Sequence, residues 1–318
     1  MILPSPKQAL ISCTLSEIDF LDRSFPFSYG SLPENLSTSI RHVGILTPPL
    51  LMTGPRGYVI VCGRRRLEAA RKVFGEKHEI NAFLVAEDEQ TGHLFALAFW
   101  DNLAQRSFNL VEKADILVCL EALFEKAEMQ SEFLPALEIP AKNRFIERYR
   151  AISGLPESSR SLLAQGKMDG ETVDLLKSWQ PDEIEQLIDL LDGMSFNRNK
   201  LKEIVKLFDD LAGRDRKTPA EIFSLIREHY PDCLESAAAL RRQLDNWMFP
   251  FLSEAENRFQ ELCRSLQLAE NLRLIPPPSF EGNAYTLQIS FRNFNQWQAA
   301  CDQVAAIEAE KIHELFSR

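Results

Sequence analysis

The chain has 318 residues, a length that allows one to three domains at roughly 100–200 residues each. Hydrophobic residues make up 45% and charged residues 26% of the sequence, and this balance argues against extended disorder. The formal net charge of −10 excludes a protein that coats nucleic acid by charge alone. A DNA reader can still be acidic overall when its basic residues lie on one face.

The sequence contains no apolar run long enough to cross a bilayer, and Met1–Leu10 lacks the features of a signal peptide. The cysteines are widely separated, with no CxxC pair and no Cys/His cluster at zinc spacing. We therefore expect a cytoplasmic protein with reduced thiols and no membrane partner.

Residues 8–120 alternate short apolar runs with helical stretches, which predicts a small α/β domain over residues 1–124. The predicted strands are Leu10–Leu15, Tyr58–Cys62 and Ile80–Val85. The predicted helices are Glu34–Val43, Arg65–Phe74, Gly92–Leu103 and Asn109–Leu123.

Residues 125–212 show only helical periodicity, cut by breaks at Pro140, Gly154–Pro156, Gly166 and Gly193. Closely spaced short helices favour a helix-turn-helix domain. After a charged linker, Thr218–Glu221 carries the signals of a helix start, so a third domain over residues 218–318 is expected.

The end of this third domain has a helix-strand-strand-helix order. Its predicted strands are Leu272–Ile275 and Ala284–Phe291, followed by a helix over Phe294–Phe316. Two such hairpins could pair edge to edge across a two-fold axis, which suggests a homodimer. The fold class expected for the whole chain is α+β.

The densest basic run, Cys62–Lys72, follows an apolar strand and opens a helix. A glycine at such a turn, followed by arginines on the first helical turn, suits a bound anion. The reason is that the helix N-terminus offers free N–H groups and a partial positive charge, to which guanidinium groups add phosphate contacts. The alternative is a solvated basic helix face.

A second candidate element, Trp100–Arg106, ends an apolar helix with a carboxylate, an amide and a guanidinium close together. Asp101 could hold a hydrated magnesium ion, which favours a few carboxylates plus phosphate oxygens. The alternative is an ordinary polar helix terminus.

Together these elements resemble the boxes of the ParB family. Ser39–Pro49 resembles the first ParB box, Gly63–Ala69 (GRRRLEA) the GERRxRA box, and Asp101–Arg106 (DNLAQR) the ENLQR box. Asn109–Glu112 is similar to the LNPIE segment that follows. The resemblance continues through Leu155–Leu176 and covers roughly residues 8–190.

The resemblance implies a CTP-dependent DNA clamp that uses Mg²⁺, with Asp101 in place of the metal-binding Glu. Arg65 and Arg66 would contact the triphosphate, and Asn102 would help to hold it. The nucleotide-binding residues implied in this way are Gly44, Thr47, Pro48, Gly63, Arg64, Arg65, Arg66 and Asn102.

The sequence departs from the family pattern at several positions. The Glu of the GERR box is Arg64, the last Arg of that box is Glu68, and Thr172-Val173 replaces the usual His-Ala. The family's box Glu is associated with hydrolysis. Nucleotide binding with weak or absent CTPase activity is therefore the expectation, and whether the chain is an enzyme stays open.

The segment Ala141–Ile152 occupies the place of the family's recognition helix. A helix in the major groove reads base edges with exposed early residues and fixes its register through phosphates. The predicted DNA contacts are Lys142, Asn143, Arg144 and Arg148. The alternative is a helix whose arginines are merely solvated. Pro135, in the preceding helix, is awkward there unless it lies in the first turn.

The leading functional hypothesis is a dimeric, CTP-responsive DNA-binding protein for chromosome or plasmid partition or transcription control. Such a protein would be nucleoid-associated and could have a ParA-like ATPase as partner. One alternative is an enzyme on the same fold, like sulfiredoxin or the ParB-like serine kinases. The catalytic Cys of sulfiredoxin belongs to a GCHR-type box, in which it follows the glycine, whereas Cys62 precedes Gly63. A kinase would need a catalytic carboxylate beside the phosphates, and Glu68 is the nearby candidate. Another alternative is a degenerate interaction adaptor.

Overall fold

The computed structural model describes residues 4–282 and 284–314. One compact unit ends at Val205 and a second begins at Lys206, within a single long helix. The two units are described separately. The predicted domain bounds, 1–124, 125–212 and 218–318, stay predictions.

The N-terminal part is built on a mixed four-stranded sheet with the strand order β1-β4-β2-β3. Strand β4 pairs antiparallel with β1 and parallel with β2, whereas β2 and β3 form an antiparallel hairpin. The strands are β1 (Gln8–Thr14), β2 (Leu50–Gly54), β3 (Gly57–Cys62) and β4 (Glu79–Val85). The sequence predicted three of them. It did not predict β2, because Thr53–Pro55 has turn composition and the apolar run before it is short.

Four helices accompany this sheet, and each was expected from its periodicity. They are α1 (Glu34–Val43), α2 (Arg64–Phe74), α3 (Thr91–Gln105) and α4 (Leu110–Leu123). Apolar side chains of β2, β3 and α2, among them Leu51, Ile60 and Leu67, form a buried core with Ile40 of α1. Phe95 and Phe99 of α3 are also fully buried.

The second half of the first unit is helical, as predicted. Its helices are α5 (Lys126–Glu128), α6 (Leu134–Ala136), α7 (Asn143–Ser153), α8 (Glu157–Ala164), α9 (Gly170–Leu176) and α10 (Pro181–Leu190), followed by α11 (Arg198–Asp215), which holds the boundary between the units. A π-helical turn, Met129–Phe133, joins α5 to α6. Pro135 therefore lies beyond the first turn, and the widened turn before it relieves the clash that a proline ring makes in a regular helix.

The second unit continues with α12 (Pro219–His229), α13 (Ala237–Met248), α14 (Pro250–Leu266), β5 (Leu272–Ile275), β6 (Thr286–Ile289), α15 (Phe294–Ala305) and α16 (Ala309–Glu314). Strand β6 is shorter than predicted. The single helix expected over Phe294–Phe316 is broken after Ala305, and its last two residues lie outside the described part of the chain. The predicted α+β class is confirmed. No described helix combines the length and apolarity needed to cross a membrane.

The hairpin that carries β3 depends on Gly57, because its φ of 125° suits glycine and an added Cβ would lie 2.3 Å from the Glu17 carbonyl oxygen. We predict that Gly57→Ala destabilises the fold more than Gly75→Ala. The φ of Gly75 is 84°, but a Cβ there meets no atom within 4 Å. Backbone strain alone should cost about 1–3 kcal/mol at Gly75, and the clash adds to it at Gly57. Urea denaturation followed by circular dichroism measures both, and equal losses would contradict the prediction.

Candidate functional site

The turn from β3 into α2 is made by Gly63, whose φ of 93° lies in the left-handed region. An added Cβ would lie 3.0 Å from Cβ of Pro49, so the position also lacks room for a side chain. The turn places three successive arginines at the start of α2, as the sequence predicted. Their side chains point in different directions.

The Arg64 side chain is buried and points towards the segment before α1. Its guanidinium donates hydrogen bonds to the carbonyl oxygens of Phe20 and Asp22, and it lies 3.8 Å from the Glu68 carboxylate. Burial lowers the pKa of Arg64 from its ordinary value. Its Nε atom is buried without a hydrogen-bond partner. Arg64 thus anchors this segment and keeps one polar atom free.

Arg65 and Arg106 meet at the carboxylate of Glu112, which is completely buried. Arg106 donates to both oxygens of Glu112, at 2.7 and 2.8 Å, and Arg65 Nη2 donates to Oε1 at 3.2 Å. The backbone N–H groups of Asn109 and Tyr29 also donate to this carboxylate, each at 2.9 Å. Since a buried charge must be compensated, this cluster holds α2, α3 and α4 together at the site.

Arg65 and Arg106 also hold the segment that carries Phe27 and Ser28. Arg65 Nε donates to Ser28 Oγ at 3.2 Å, and Arg106 donates to the carbonyl oxygen of Phe27. The Phe27 ring packs on Phe95 of α3, with a centroid distance of 4.9 Å. The same two guanidiniums therefore contact both the buried carboxylate and this segment.

Arg66 takes a third direction and donates to the carbonyl oxygen of Thr47. Opposite it, Asn102 donates to the Ala98 carbonyl oxygen at 2.8 Å, and Asp101 at the exposed helix end accepts from Gln105 at 3.1 Å. Asp101 is accessible and lies near the basic residues, as a magnesium ligand shared with phosphate would require.

These side chains surround a cavity of about 240 Å³. Of the residues predicted for the nucleotide, Gly63, Arg64, Arg65, Arg66 and Asn102 line it, together with Asp101. Gly44, Thr47 and Pro48 do not belong to the lining, although Thr47 is tied to it through Arg66. Lining residues that the prediction missed are Phe25, Phe27, Ser28, Leu36, Ile60, Val61, Cys62, Gln105 and Arg106.

Cys62 at this cavity has the wrong chemistry for a nucleophile. Burial, with a further contribution from Asp101, raises the pKa of Cys62 to about 12. The reactive species of a cysteine is the thiolate, so this thiol stays protonated at neutral pH. This weakens the sulfiredoxin-type alternative.

Within residues 4–282 and 284–314, no three His, Cys, Asp or Glu side chains are grouped closely enough to hold a metal ion. A magnesium ion at Asp101 would accordingly need further oxygen ligands from a bound phosphate. Asp101 remains a predicted metal ligand.

The predicted recognition helix α7 presents Lys142, Asn143 and Arg144 as exposed residues at its start. Arg144 lies over the ring of Phe145, 4.5 Å from the centroid. Arg148 lies further along and pairs with Asp174 of α9, to which its Nε donates at 2.9 Å. The first three predicted contacts are therefore grouped, whereas Arg148 is engaged within the protein.

The motif order, the Gly63 turn and the arginine cavity agree with the resemblance to ParB proteins. Stage 0 sporulation protein J of Bacillus subtilis (strain 168) is 23% identical over 188 residues, which are 57% of this chain and 62% of that protein. This similarity confirms the resemblance to ParB partition proteins that the chain's motifs predict. The chain matches less than two thirds of the curated relative's length. No family model matches it.

Similar solved structures are ParB structures. The C-terminally truncated chromosome-partitioning protein ParB from Caulobacter crescentus with CTP-γ-S is 19% identical, with 57% of this chain and 99% of that chain covered and a TM-score of 0.25. The structure of the truncated Caulobacter crescentus ParB with the centromeric parS site is 18% identical, with 62% of this chain and 97% of that chain covered and a TM-score of 0.25. A Pnob8-like ParB-N domain is 12% identical, with 79% of this chain and 98% of that chain covered and a TM-score of 0.36.

We predict that Glu112→Gln lowers the free energy of unfolding by about 3 kcal/mol, because two guanidiniums lose their buried anion. Inorganic phosphate should restore part of this stability by replacing the missing charge, and it should stabilise the variant more than the parent. The control is Glu76→Gln, which removes an exposed partner of Arg71 and should change stability by less than about 1 kcal/mol. Urea denaturation with and without phosphate is the measurement. Equal losses in the two variants would contradict the central role of Glu112.

Proposed function

We propose that this chain is a ParB-like DNA-binding protein that binds CTP with Mg²⁺ in the arginine cavity and contacts DNA through the start of α7. The observation that carries the proposal is the cavity itself, which four arginines line beside the left-handed Gly63 turn at the N-terminus of α2. A helix start and clustered guanidiniums are the groups that bind phosphate most readily.

The size of the cavity suits the polyphosphate part of a nucleotide. Pockets that enclose a whole drug-sized ligand measure about 300–1,000 Å³, more than the 240 Å³ present here. The phosphates would occupy the cavity, with Arg66, Arg65 and Arg106 as donors and Asp101 holding the magnesium ion. The preference for cytosine follows from the motif resemblance.

We further propose that the nucleotide acts as a switch and is hydrolysed slowly or not at all. The position of the family's hydrolysis-associated Glu is held by Arg64, whose guanidinium is bound to the carbonyl oxygens of Phe20 and Asp22. A guanidinium cannot accept a proton from an attacking water.

DNA contact is proposed for Lys142, Asn143 and Arg144, which are exposed together at the first turn of α7. Arg148 would support this helix through its ion pair with Asp174. The same proposal includes a role in partition or transcription control and a homodimer through the C-terminal module. It also includes a ParA-like ATPase partner and association with the nucleoid.

We predict that CTP with Mg²⁺ raises the melting temperature of the parent chain and that Arg66→Ala reduces this rise at each CTP concentration. Arg66 lines the cavity, and the loss of one charge-assisted contact should weaken CTP binding by about tenfold or more. Arg71→Ala is the matched control, since Arg71 lies on the same helix and pairs with Glu76 away from the cavity.

Differential scanning fluorimetry over a CTP titration gives the dissociation constants. A parent chain that shows no shift with CTP would reject the nucleotide proposal and leave the interaction adaptor as the reading. Equal shifts in the melting temperatures of the parent and Arg66→Ala would show that the nucleotide binds outside the arginine cavity.

For DNA, we predict that the double variant Lys142→Ala/Arg144→Ala binds duplex more weakly and with a flatter salt dependence. Each lost phosphate contact should reduce the slope of log K against log salt by about 0.9. Arg150→Ala is the control, because Arg150 belongs to the same helix but pairs with Glu121. Fluorescence anisotropy with a duplex selected from a random pool measures both quantities. Unchanged affinity in the double variant would remove α7 from the interface.

A further inference from the structure

The segment from Phe25 to Tyr29 belongs both to the arginine cavity and to the helical region that follows it. Phe25, Phe27 and Ser28 line the cavity. The next residue, Tyr29, reaches α8, where its hydroxyl donates to Glu157 Oε1 at 2.8 Å. All of these residues belong to the first compact unit.

The backbone of Tyr29 is tied to the cavity cluster. Its N–H donates to Glu112 Oε1 at 2.9 Å, and its carbonyl oxygen accepts from Asn109 Nδ2 at 3.4 Å. The carboxylate that receives the Tyr29 N–H is the one held by Arg65 and Arg106. Any ligand that draws these guanidiniums away from Glu112 therefore changes the electrostatic environment of this hydrogen bond.

The side chain of Tyr29 is tied to the end of the proposed recognition helix. Its ring lies 5.1 Å from the guanidinium carbon of Arg160. Arg160 in turn donates to the carbonyl oxygen of Ser153, the last residue of α7, at 3.1 Å. It also pairs with Asp115 of α4 at 2.6 Å. The contacts from Glu112 to the C-terminus of α7 are thus continuous through one tyrosine.

We propose that Tyr29 couples occupancy of the arginine cavity to the DNA affinity of α7. A polyphosphate competes with Glu112 for Arg65 and Arg106, which shifts the Phe27–Tyr29 segment. The phenol then transmits this shift to α8, and Arg160 transmits it to Ser153. Coupling of this kind requires that the ligand interacts differently with two arrangements of the same contacts. The inference rests on the proposed function.

The ionisation of Tyr29 is compatible with this role. Burial, with the neighbouring Glu157 carboxylate as a second cause, raises the pKa of Tyr29 to about 12. The phenol therefore keeps its proton and donates to Glu157 throughout the neutral range. Tyr29→Phe removes this one donor and leaves the ring on Arg160, which makes it the appropriate variant.

The experiment measures the affinity for the selected duplex with and without saturating CTP and Mg²⁺ in the parent, Tyr29→Phe, Glu157→Ala and the double variant. The expected result is that Tyr29→Phe reduces the CTP-induced change in DNA affinity by about fivefold, the equivalent of one hydrogen bond. Affinity for CTP and affinity for DNA alone should each stay within about twofold of the parent. The double variant should show no larger loss than either single variant, since both remove the same contact.

Tyr230→Phe, in the second unit, is the control and should keep the parent coupling. If the parent binds CTP and DNA and Tyr29→Phe retains the full coupling between them, this inference is overturned and the proposed function stays intact. A parent that binds both without coupling would also overturn it. A parent that does not bind CTP would overturn the proposed function and this inference with it. Additive losses in the double variant would show that the Tyr29–Glu157 contact is not the route.

Discussion

The site depends on one buried carboxylate. Glu112 has no exposed surface, and it is compensated by two guanidiniums and by the N–H groups of Tyr29 and Asn109. Because an unpaired charge in a protein interior is strongly unfavourable, these donors have little freedom to move independently. The start of α4, the end of α3 and the Phe27–Tyr29 segment thus have fixed positions relative to the Gly63 turn.

The same carboxylate sets the electrostatics of the cavity. It neutralises much of the charge of Arg65 and Arg106, and Arg64 is buried, so the positive charge most available to a ligand belongs to Arg66. A ligand with a single negative charge gains little by competing with Glu112 in this environment. A polyphosphate offers several charged oxygens at once, and a magnesium ion at Asp101 would offset the repulsion between them.

Much of this arrangement could be predicted from the sequence because the local signals are strong. Glycine after an apolar strand predicts the turn at Gly63, and helical periodicity predicts α1 to α4. The direction of each arginine could not be predicted. Arg64 turns inward because carbonyl groups more than forty residues upstream need a donor, and no local pattern carries that information.

Glu112 and Arg106 were within the family-like motifs, but their role could not be found from spacing. The pattern Asn109-x-x-Glu112 predicts a helix cap, and the structure contains that reciprocal cap. The same carboxylate oxygens also receive the two guanidiniums, which is a tertiary effect. Strand β2 was missed for a related reason, since its pairing with β3 and β4 outweighs its weak local propensity.

The acidic balance of the chain fits the proposal that α7 contacts DNA with few charges. Arg148 and Arg150 of α7 pair with Asp174 and Glu121, so their contribution to phosphate binding is reduced. Lys142 and Arg144, which are exposed, lie at the start of the helix, where major-groove readers place their base contacts. Non-specific affinity should accordingly be low, because it depends on the number of phosphates that are neutralised. A protein of this kind gains from a second copy or from a ligand-controlled clamp, since either increases the number of simultaneous contacts without more charge on each chain.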